Sequence, residues 1–592
     1  MARARAGVRG GCIDIDIDID IDIDIDIDID IDIDFALVFA SRRRLRLDRS
    51  RRGSGRPRRD GFGWKSAIPG ARLAACMSQR PFGMDEPARV DDATHLAGVR
   101  ALVLAAAALV LAAVAPYLVP GLERHRPWVS GEPVPIARLY GIEDPEDVAR
   151  RTAGAEASGI DAVEPVPDSE PVIPPPVASG AGEPAVHIDP AELEGLVREL
   201  EDPSGHAMDA FYARLRLTAL APREATGEDA VVTRIAHFGD STIALDGITM
   251  TTREALQLRF GDAGHGFVLA ARGLLPYRHF QVRHETEGNW RMFDLTHAGL
   301  SDGRYGLGGV QVRSASGATA WFASDDDEAS RVGRSVSTFL VFHQRHPRGG
   351  EVAYRVDEGE WRTLDTESAS VEDGVERIEV PDGEHRLSLR TAGHGETRLY
   401  GVALERPGPG IVYDSLGIVG ARASRMLGFD PEHLRTQLAQ RETNLVVIAF
   451  GGNDADDNRS EEDFFDTFRQ VARLVRVARP EASCLLFAPL DQAERDERGR
   501  VVTLAPVPRI VSASRRAAEA EGCAFFDTWT AMGGEGAMGR WFRRSPRLSS
   551  GDFRHATPAG YRVIGHMFYR ALLAGFRDYL ERSGRGTEPT PE

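Results

Sequence analysis

Three short runs, 444–450, 484–490 and 523–529, constrain this chain most: each is close to uniformly apolar, and each is followed by polar or helical sequence. Side chains on a strand point alternately to two faces, so a run without alternation must bury both faces. That happens inside a parallel sheet with helices packed on either side. The run Val231–Phe238 reads as the first such strand, preceded by helical spacing over 191–200 and 208–220. A helix over 251–260, stopped at Gly261, follows it. The pattern predicts a three-layer α/β fold with a flavodoxin-like parallel sheet.

A different rhythm fills 274–407. Val352, Tyr354 and Val356 alternate with Ala353 and Arg355 before a turn at 357–359. Ile378 and Val380 lead through Pro381-Asp382-Gly383 to Leu387 and Leu389. Period-two alternation broken by turn residues marks antiparallel hairpins. An all-β sandwich is therefore expected as an insertion after the first βα unit, either structural or glycan-binding. The α/β domain then comprises 191–273 and 408–585, with a disordered tail at 586–592.

The residues ahead of these domains have another character. Residues 1–100 read as low-complexity and disordered, with a strict Ile-Asp repeat over 13–34 and an arginine-rich stretch over 42–59 that has no periodic apolar face. The segment 101–119 is apolar and uncharged, about the 20 residues that cross a bilayer as a helix. It is expected to be a transmembrane anchor, or an export signal cut near Ala113-Val114-Ala115. Residues 120–190 form a proline-rich tether. The bulk of the chain is then exported, either membrane-anchored in the cell envelope with a periplasmic catalytic domain or secreted.

Composition narrows the chemistry. A net charge of −18 does not supply the clustered cations that nucleic acid requires. Lys65 is the sole lysine, so beyond it no P-loop lysine, Schiff-base lysine or Ser/Lys dyad can be built. Cys12, Cys76, Cys484 and Cys523 show no metal-ligand spacing, and neither a metal nor a cofactor is expected. Cys484 and Cys523 fall in apolar core runs and read as buried free thiols.

Against this background one constellation points to serine chemistry. Ser241, in Gly239-Asp240-Ser241, stands where the first strand ends and the chain turns at the carboxyl edge of the sheet. Asp552 and His555 are three residues apart. In a helical turn they share a face, so the carboxylate can orient the imidazole that deprotonates Ser241. Acyl transfer also needs donors for an oxyanion. The N–H groups of Ser241 and Gly420 qualify, as does the side-chain amide of Asn453, directly after 444–450. His237, two residues before Gly239, belongs to the strand.

Taken in order, Gly239-Asp240-Ser241, Gly420, Gly451-x-Asn453-Asp454 and Asp552-x-x-His555 resemble the SGNH (GDSL-type) hydrolase superfamily, whose blocks supply Ser, Gly, Asn and His in that sequence. Stretches 237–241, 260–267, 531–534 and 555–561 are similar to bacterial envelope enzymes of the peptidoglycan O-acetylesterase type, in which a carbohydrate-binding-module-like domain is inserted in the SGNH fold. Thr242 and Gly452-Asn453-Asp454 depart from that type, which often carries His and Thr-Asn-Glu there. The resemblance spans about 190–580. It implies an esterase that removes small acyl groups, O-acetyl above all, from an envelope polysaccharide such as peptidoglycan through an acyl-enzyme on Ser241. The same residues also suit a polysaccharide O-acetyltransferase, and a catalytically silent, membrane-tethered glycan-binding protein is a third reading. The implied partners are an acylated glycan and the membrane.

A two-residue repeat is what a translated simple nucleotide repeat gives, so translation is expected to start at Met77 or Met84. Mass spectrometry of the purified protein should then recover no peptide from 13–76, and one such peptide refutes the expectation.

Overall fold

The computed structural model describes residues 3–9, 12–18, 170, 173, 186–271, 277–297 and 299–585, in two units, 1–99 and 100–592. In the first unit, β1 (Arg3–Arg9) and β2 (Cys12–Asp18) pair antiparallel. Residues 13–18, the start of the Ile-Asp repeat, thus lie in a strand, and residues 19–100 lie outside the described residues. The segment 101–119, most of the tether and the tail 586–592 lie outside the described residues. Among those described, no helix is long and apolar enough to cross a membrane.

The second unit begins with α1 (Asp209–Leu220), β3 (Val232–Gly239), the one-turn α2 (Ser241–Ala244) and α3 (Gly247–Phe260). The strands β4 (Gly264–Leu269), β5 (Val282–Glu287), β6 (Arg291–Asp294), β7 (Val310–Ser314), β8 (Thr319–Ser324) and β9 (Val336–Arg345) follow. After them come β10 (Glu351–Val356), β11 (Arg362–Asp365), β12 (Glu372–Gly383), β13 (Arg386–Gly393) and β14 (Thr397–Glu405). The chain then returns through β15 (Gly410–Gly417), α4 (Pro431–Gln440), β16 (Leu445–Ala449), α5 (Glu461–Ala478) and β17 (Ser483–Phe487). It ends with β18 (Ala493–Arg495), β19 (Val501–Thr503), α6 (Pro506–Glu521), β20 (Ala524–Phe526), α7 (Thr528–Ala531), α8 (Ala537–Phe542) and α9 (Pro558–Arg585).

Strands β15, β3, β16, β17 and β20 lie side by side in that order, all parallel. Starting the chain in an inner strand and stepping first to one side is the flavodoxin-like order. The unbroken apolar runs now have a cause. Val446, Ile448 and Phe450 join a core with Leu434, Phe464 and Ile510 of α4, α5 and α6. Leu445, Val447 and Ala449 join another with Phe211, Leu256 and Ile564 of α1, α3 and α9. Helix boundaries follow from local chemistry: a Ser460–Asp463 capping box opens α5, and Gly522, at φ +68, closes α6 in the left-handed conformation.

The inserted strands form two antiparallel sheets, β11-β10-β13-β8-β5 and β12-β9-β14-β7-β6. They share a core that includes Phe322 and Leu389 from the first and Val341 and Leu399 from the second. The insertion is wider than 274–407. β4 pairs with β14, Phe267 opposite Ala403, so the sandwich already begins at Gly264. A buried ion cluster joins the insertion to the α/β domain: Arg441 donates from Nε and Nη2 to Asp414 of β15 (3.0 and 2.8 Å) and from Nη1 to Glu405 of β14. Arg234 of β3 donates to the same Glu405 at 2.6 Å. Burial alone would raise the Glu405 carboxyl, but the two guanidinium groups hold it down to about 2.

The free-thiol expectation is corrected: Cys484 and Cys523 form a disulfide. Their strands are neighbours, with Leu485 opposite Ala524, so the residue before each is brought into bonding range, Cα to Cα 4.7 Å. Apolar periodicity reveals burial of both thiols but not which strand lies next to which. Replacing both cysteines by alanine is expected to lower stability by about 2–4 kcal/mol. Urea unfolding under non-reducing conditions checks this, and an unchanged midpoint refutes it.

Candidate active site

The nucleophile turn is built by close approach. A Cβ on Gly239 would meet Ile243 Cγ1 at 2.3 Å and the Ala449 carbonyl at 2.7 Å, so only glycine lets β3 break off there into α2. Asp240 caps α2, accepting from the Thr242 N–H (3.0 Å) and hydroxyl (2.8 Å) on one oxygen. Its other oxygen accepts the Gly452 N–H at 3.2 Å. One buried carboxylate, pushed upward by that burial, therefore joins the Ser241 turn to the turn that carries Asn453.

Ser241, Asp552 and His555 come together in a line. Ser241 Oγ lies 2.9 Å from His555 Nε2, and His555 Nδ1 lies 2.7 Å from Asp552 Oδ2. The spacing of three is realised in a loop ahead of α9, not in the helical turn expected from sequence. Phe553 takes the left-handed conformation there, and Asp552 Oδ1 accepts the N–H groups of Arg554 (3.0 Å) and His555 (3.1 Å). The bond from Asp552 raises the imidazole above the ordinary histidine value against the opposing effect of burial. Burial would raise Asp552 in turn, yet its bonds to His555 and Arg554 bring it to about 2.

Of the expected oxyanion donors, Ser241 and Asn453 line one cavity. Ser241 is the first residue of α2, so its N–H has no acceptor within the helix. Asn453 Nδ2 spends one hydrogen on the Ala421 carbonyl at 3.0 Å, and its second remains for the cavity that Asn453 lines. Gly420 precedes that carbonyl in the left-handed conformation, φ +77. Only Thr296 Cγ2, 4.0 Å away, comes near the place of a Cβ, so backbone conformation and not space demands glycine. A cavity of about 170 Å³ opens over Ser241 between Asn453, Gln492, Arg554 and His555.

His237 takes no part in this line. It is buried in β3 with Nδ1 2.7 Å from the Tyr413 hydroxyl, and burial pulls its pKa down to about 3, leaving it neutral. Asp454 is marked in the sequence by its place in the Asn453 block, whereas Gln492 and Asp456 carry no such signal. Asp454 Oδ2 accepts the Ala423 N–H at 3.1 Å while Oδ1 has no partner among the described residues. Burial, with Asp240 nearby, raises its carboxyl to about 6. Arg554 Nη1 bridges Asp456 (2.9 Å) and Gln492 (3.0 Å) across the cavity wall. Gln492, two residues past the run 484–490, lies at a strand's carboxyl end, where such sites collect. Among the described residues no group of three or more His, Cys, Asp or Glu could hold a metal.

Comparison with known proteins places this geometry. The model of the GDSL-like lipase/acylhydrolase family matches residues 382–563, which include Gly420, Asn453, Asp552 and His555. The chain carries a GDSL-type serine hydrolase domain. The inserted sandwich separates the Ser241 block from the rest of that domain, and the match begins within its strand β12, leaving the Ser241 block outside. The fold is shared with the solved structure of a peptidoglycan O-acetylesterase, at 22% identity and a TM-score of 0.53, over 64% of this chain and 99% of the other. A GDSL-like lipase from Bacteroides thetaiotaomicron matches at 22% identity and TM-score 0.21, over 28% and 76%. A family two carbohydrate esterase from Cellvibrio japonicus matches at 11% and 0.21, over 50% and 99%. No curated protein matches the chain.

In this GDSL-type domain His555 is expected to titrate above 6.5, the ordinary histidine value. Asp552→Asn removes the contact that raises it and should move the titration to lower pH. Ring nitrogen NMR over a pH series measures both, and an unmoved titration in the variant refutes the assigned cause.

Proposed function

We propose that this hydrolase is an esterase that removes small acyl groups, O-acetyl above all, from an envelope polysaccharide such as peptidoglycan through an acyl-enzyme on Ser241. The observation that carries the reading is the unbroken hydrogen-bonded line Ser241–His555–Asp552 under an open cavity. In the first half-reaction His555 Nε2 takes the hydroxyl proton as Ser241 Oγ attacks the ester carbonyl carbon. The oxyanion is received by the N–H groups of Ser241 and Gly420 and by Asn453 Nδ2. The imidazolium then protonates the departing sugar oxygen. In the second half, water deprotonated by the same imidazole releases the acid and restores Ser241.

Further observations support the substrate and its place. A cavity of about 170 Å³ is small beside the few hundred Å³ of ordinary ligand pockets and suits a short acyl group. The Cys484–Cys523 disulfide belongs to oxidising compartments, in keeping with residues 101–119 as an anchor or export signal ahead of a tether to the membrane. The protein whose fold is shared is, by its name, an esterase of O-acetylated peptidoglycan. An acetyltransferase would use the same acyl-enzyme with a glycan hydroxyl in place of water.

Ser241→Ala is expected to lower p-nitrophenyl acetate turnover by roughly 10³-fold or more. Asn453→Ala should cost on the order of 10²–10³ in kcat. Because the base acts only when neutral and its pKa is raised, kcat/KM should climb with pH along a limb centred above 6.5. Acetate release from O-acetylated peptidoglycan, with the glycan products analysed for re-acetylation, separates esterase from transferase. A Ser241→Ala protein as active as the parent would falsify the mechanism.

A further inference from the structure

Next to the cavity over Ser241 lies a second, much smaller space. It holds about 10 Å³, room for a single water at most, and its outer walls are Ala449, Phe450, Phe487, Ala488 and Leu490 at the carboxyl ends of β16 and β17. These walls are apolar and buried. Asp240, Thr242, Gly452 and Gln492 line both spaces. Asp240 and Gly452 are already committed to each other, and the Thr242 hydroxyl is turned onto Asp240. Gln492 is the long side chain of the four. Its Nε2 sits 2.9 Å from where a Cβ on Gly452 would be. Its Oε1 is held by Arg554 Nη1 at 3.0 Å, and its own carbonyl accepts the Leu504 N–H at 2.7 Å.

We infer that Gln492 sets the acyl-length limit of this hydrolase, closing an apolar recess that would otherwise extend the site away from Ser241. The inference rests on the reading of Ser241 as the acylated residue and adds the residue that decides which acyl group fits. An acetyl group needs only the polar cavity. A longer chain would have to enter the recess, and the Gln492 side chain occupies the space between the two, so the chain is rejected for want of room. Removing the amide joins the two spaces and gives the chain an apolar wall to lie on.

The experiment compares p-nitrophenyl acetate, butyrate and hexanoate, which share one leaving group, so their kcat/KM ratios report the acyl side alone. Gln492→Ala should raise the butyrate-to-acetate ratio roughly tenfold or more, since one methylene in an apolar pocket is worth about that much discrimination. Gln492→Ser, a milder opening, should move it the same way by less. Gln492→Leu fills the same space without the bond to Arg554 and should keep the parent's ratio. Melting temperatures establish that each variant is folded.

An unshifted ratio in folded Gln492→Ala and Gln492→Ser proteins overturns the inference. So does a Gln492→Leu ratio as high as that of Gln492→Ala, because the effect would then come from releasing Arg554 beside His555. If no ester is turned over in a Ser241-dependent way, the esterase reading falls and takes this inference with it. Acetate turnover with unshifted ratios sinks the inference alone.

Discussion

The site depends on what Asp240 does with two oxygens. A carboxylate buried without partners is costly, and here the Thr242 N–H and hydroxyl and the Gly452 N–H supply the partners. Those donors come from two separate turns, at the ends of β3 and β16. The carboxylate can be satisfied only when the turns are in register, so its burial forces the proposed nucleophile and Asn453 to share one rim of the sheet. Asp454 extends the same logic by taking the Ala423 N–H, which fixes the loop whose Ala421 carbonyl orients the Asn453 amide. Burial and the nearby Asp240 raise its carboxyl to about 6, against the single backbone bond from Ala423.

A long insertion between the nucleophile block and the rest of the domain does not loosen this arrangement, because the return of the chain is fixed electrostatically. Glu405, at the end of the sandwich strand β14, and Asp414, in β15, both bind Arg441, while Arg234 of β3 donates to the same Glu405 oxygen as Arg441. Glu405, Asp414 and Arg441 are buried, so removing any one of them would strand a charge in the interior. With β15 so held, its register brings Gly417 opposite Gly239. A Cβ on Gly417 would meet the Ala244 N–H nitrogen at 2.0 Å, so β15 and α2 pack without side chains between them. The chain therefore leaves β15 for Gly420 at the edge of the sheet where β3 gives way to α2.

Some of this is legible in the sequence, and the rest is hidden for identifiable reasons. Uniform apolar runs reveal the sheet because burial on both faces leaves no alternation, and alternation reveals the hairpin of β10 and β11. The expected hairpin at 378–389 is instead two strands of different sheets, β12 paired with β9 and β13 with β10 and β8. Short Gly, Asp and Ser strings are informative because each follows a strand. Pairing is not legible: periodicity puts β4 on the α/β side and leaves Cys484 and Cys523 as separate free thiols. Both errors have one origin, since periodicity reports how deeply a strand is buried and not which strand lies beside it. The Asp552–His555 spacing yields the right partners through the wrong geometry. A left-handed Phe553 lets a loop bring the two side chains together as well as a helix would.

That loop bears on how a reaction at Ser241 would be driven. Asp552 and His555 are half open to solvent, with 48% and 37% of their side-chain surface exposed. The carboxylate's effect on the imidazole is therefore screened, and basicity raised by Asp552 supplies only a small part of any rate enhancement. The donors differ. The donors proposed for the oxyanion are set by the first turn of α2, by the left-handed backbone at Gly420 and by an amide already tied to Ala421, so in that role they would need no reorganisation. Stabilisation in such a site comes mainly from fixed dipoles, and the fixed dipoles are what Asp240 and Asp454 hold in place.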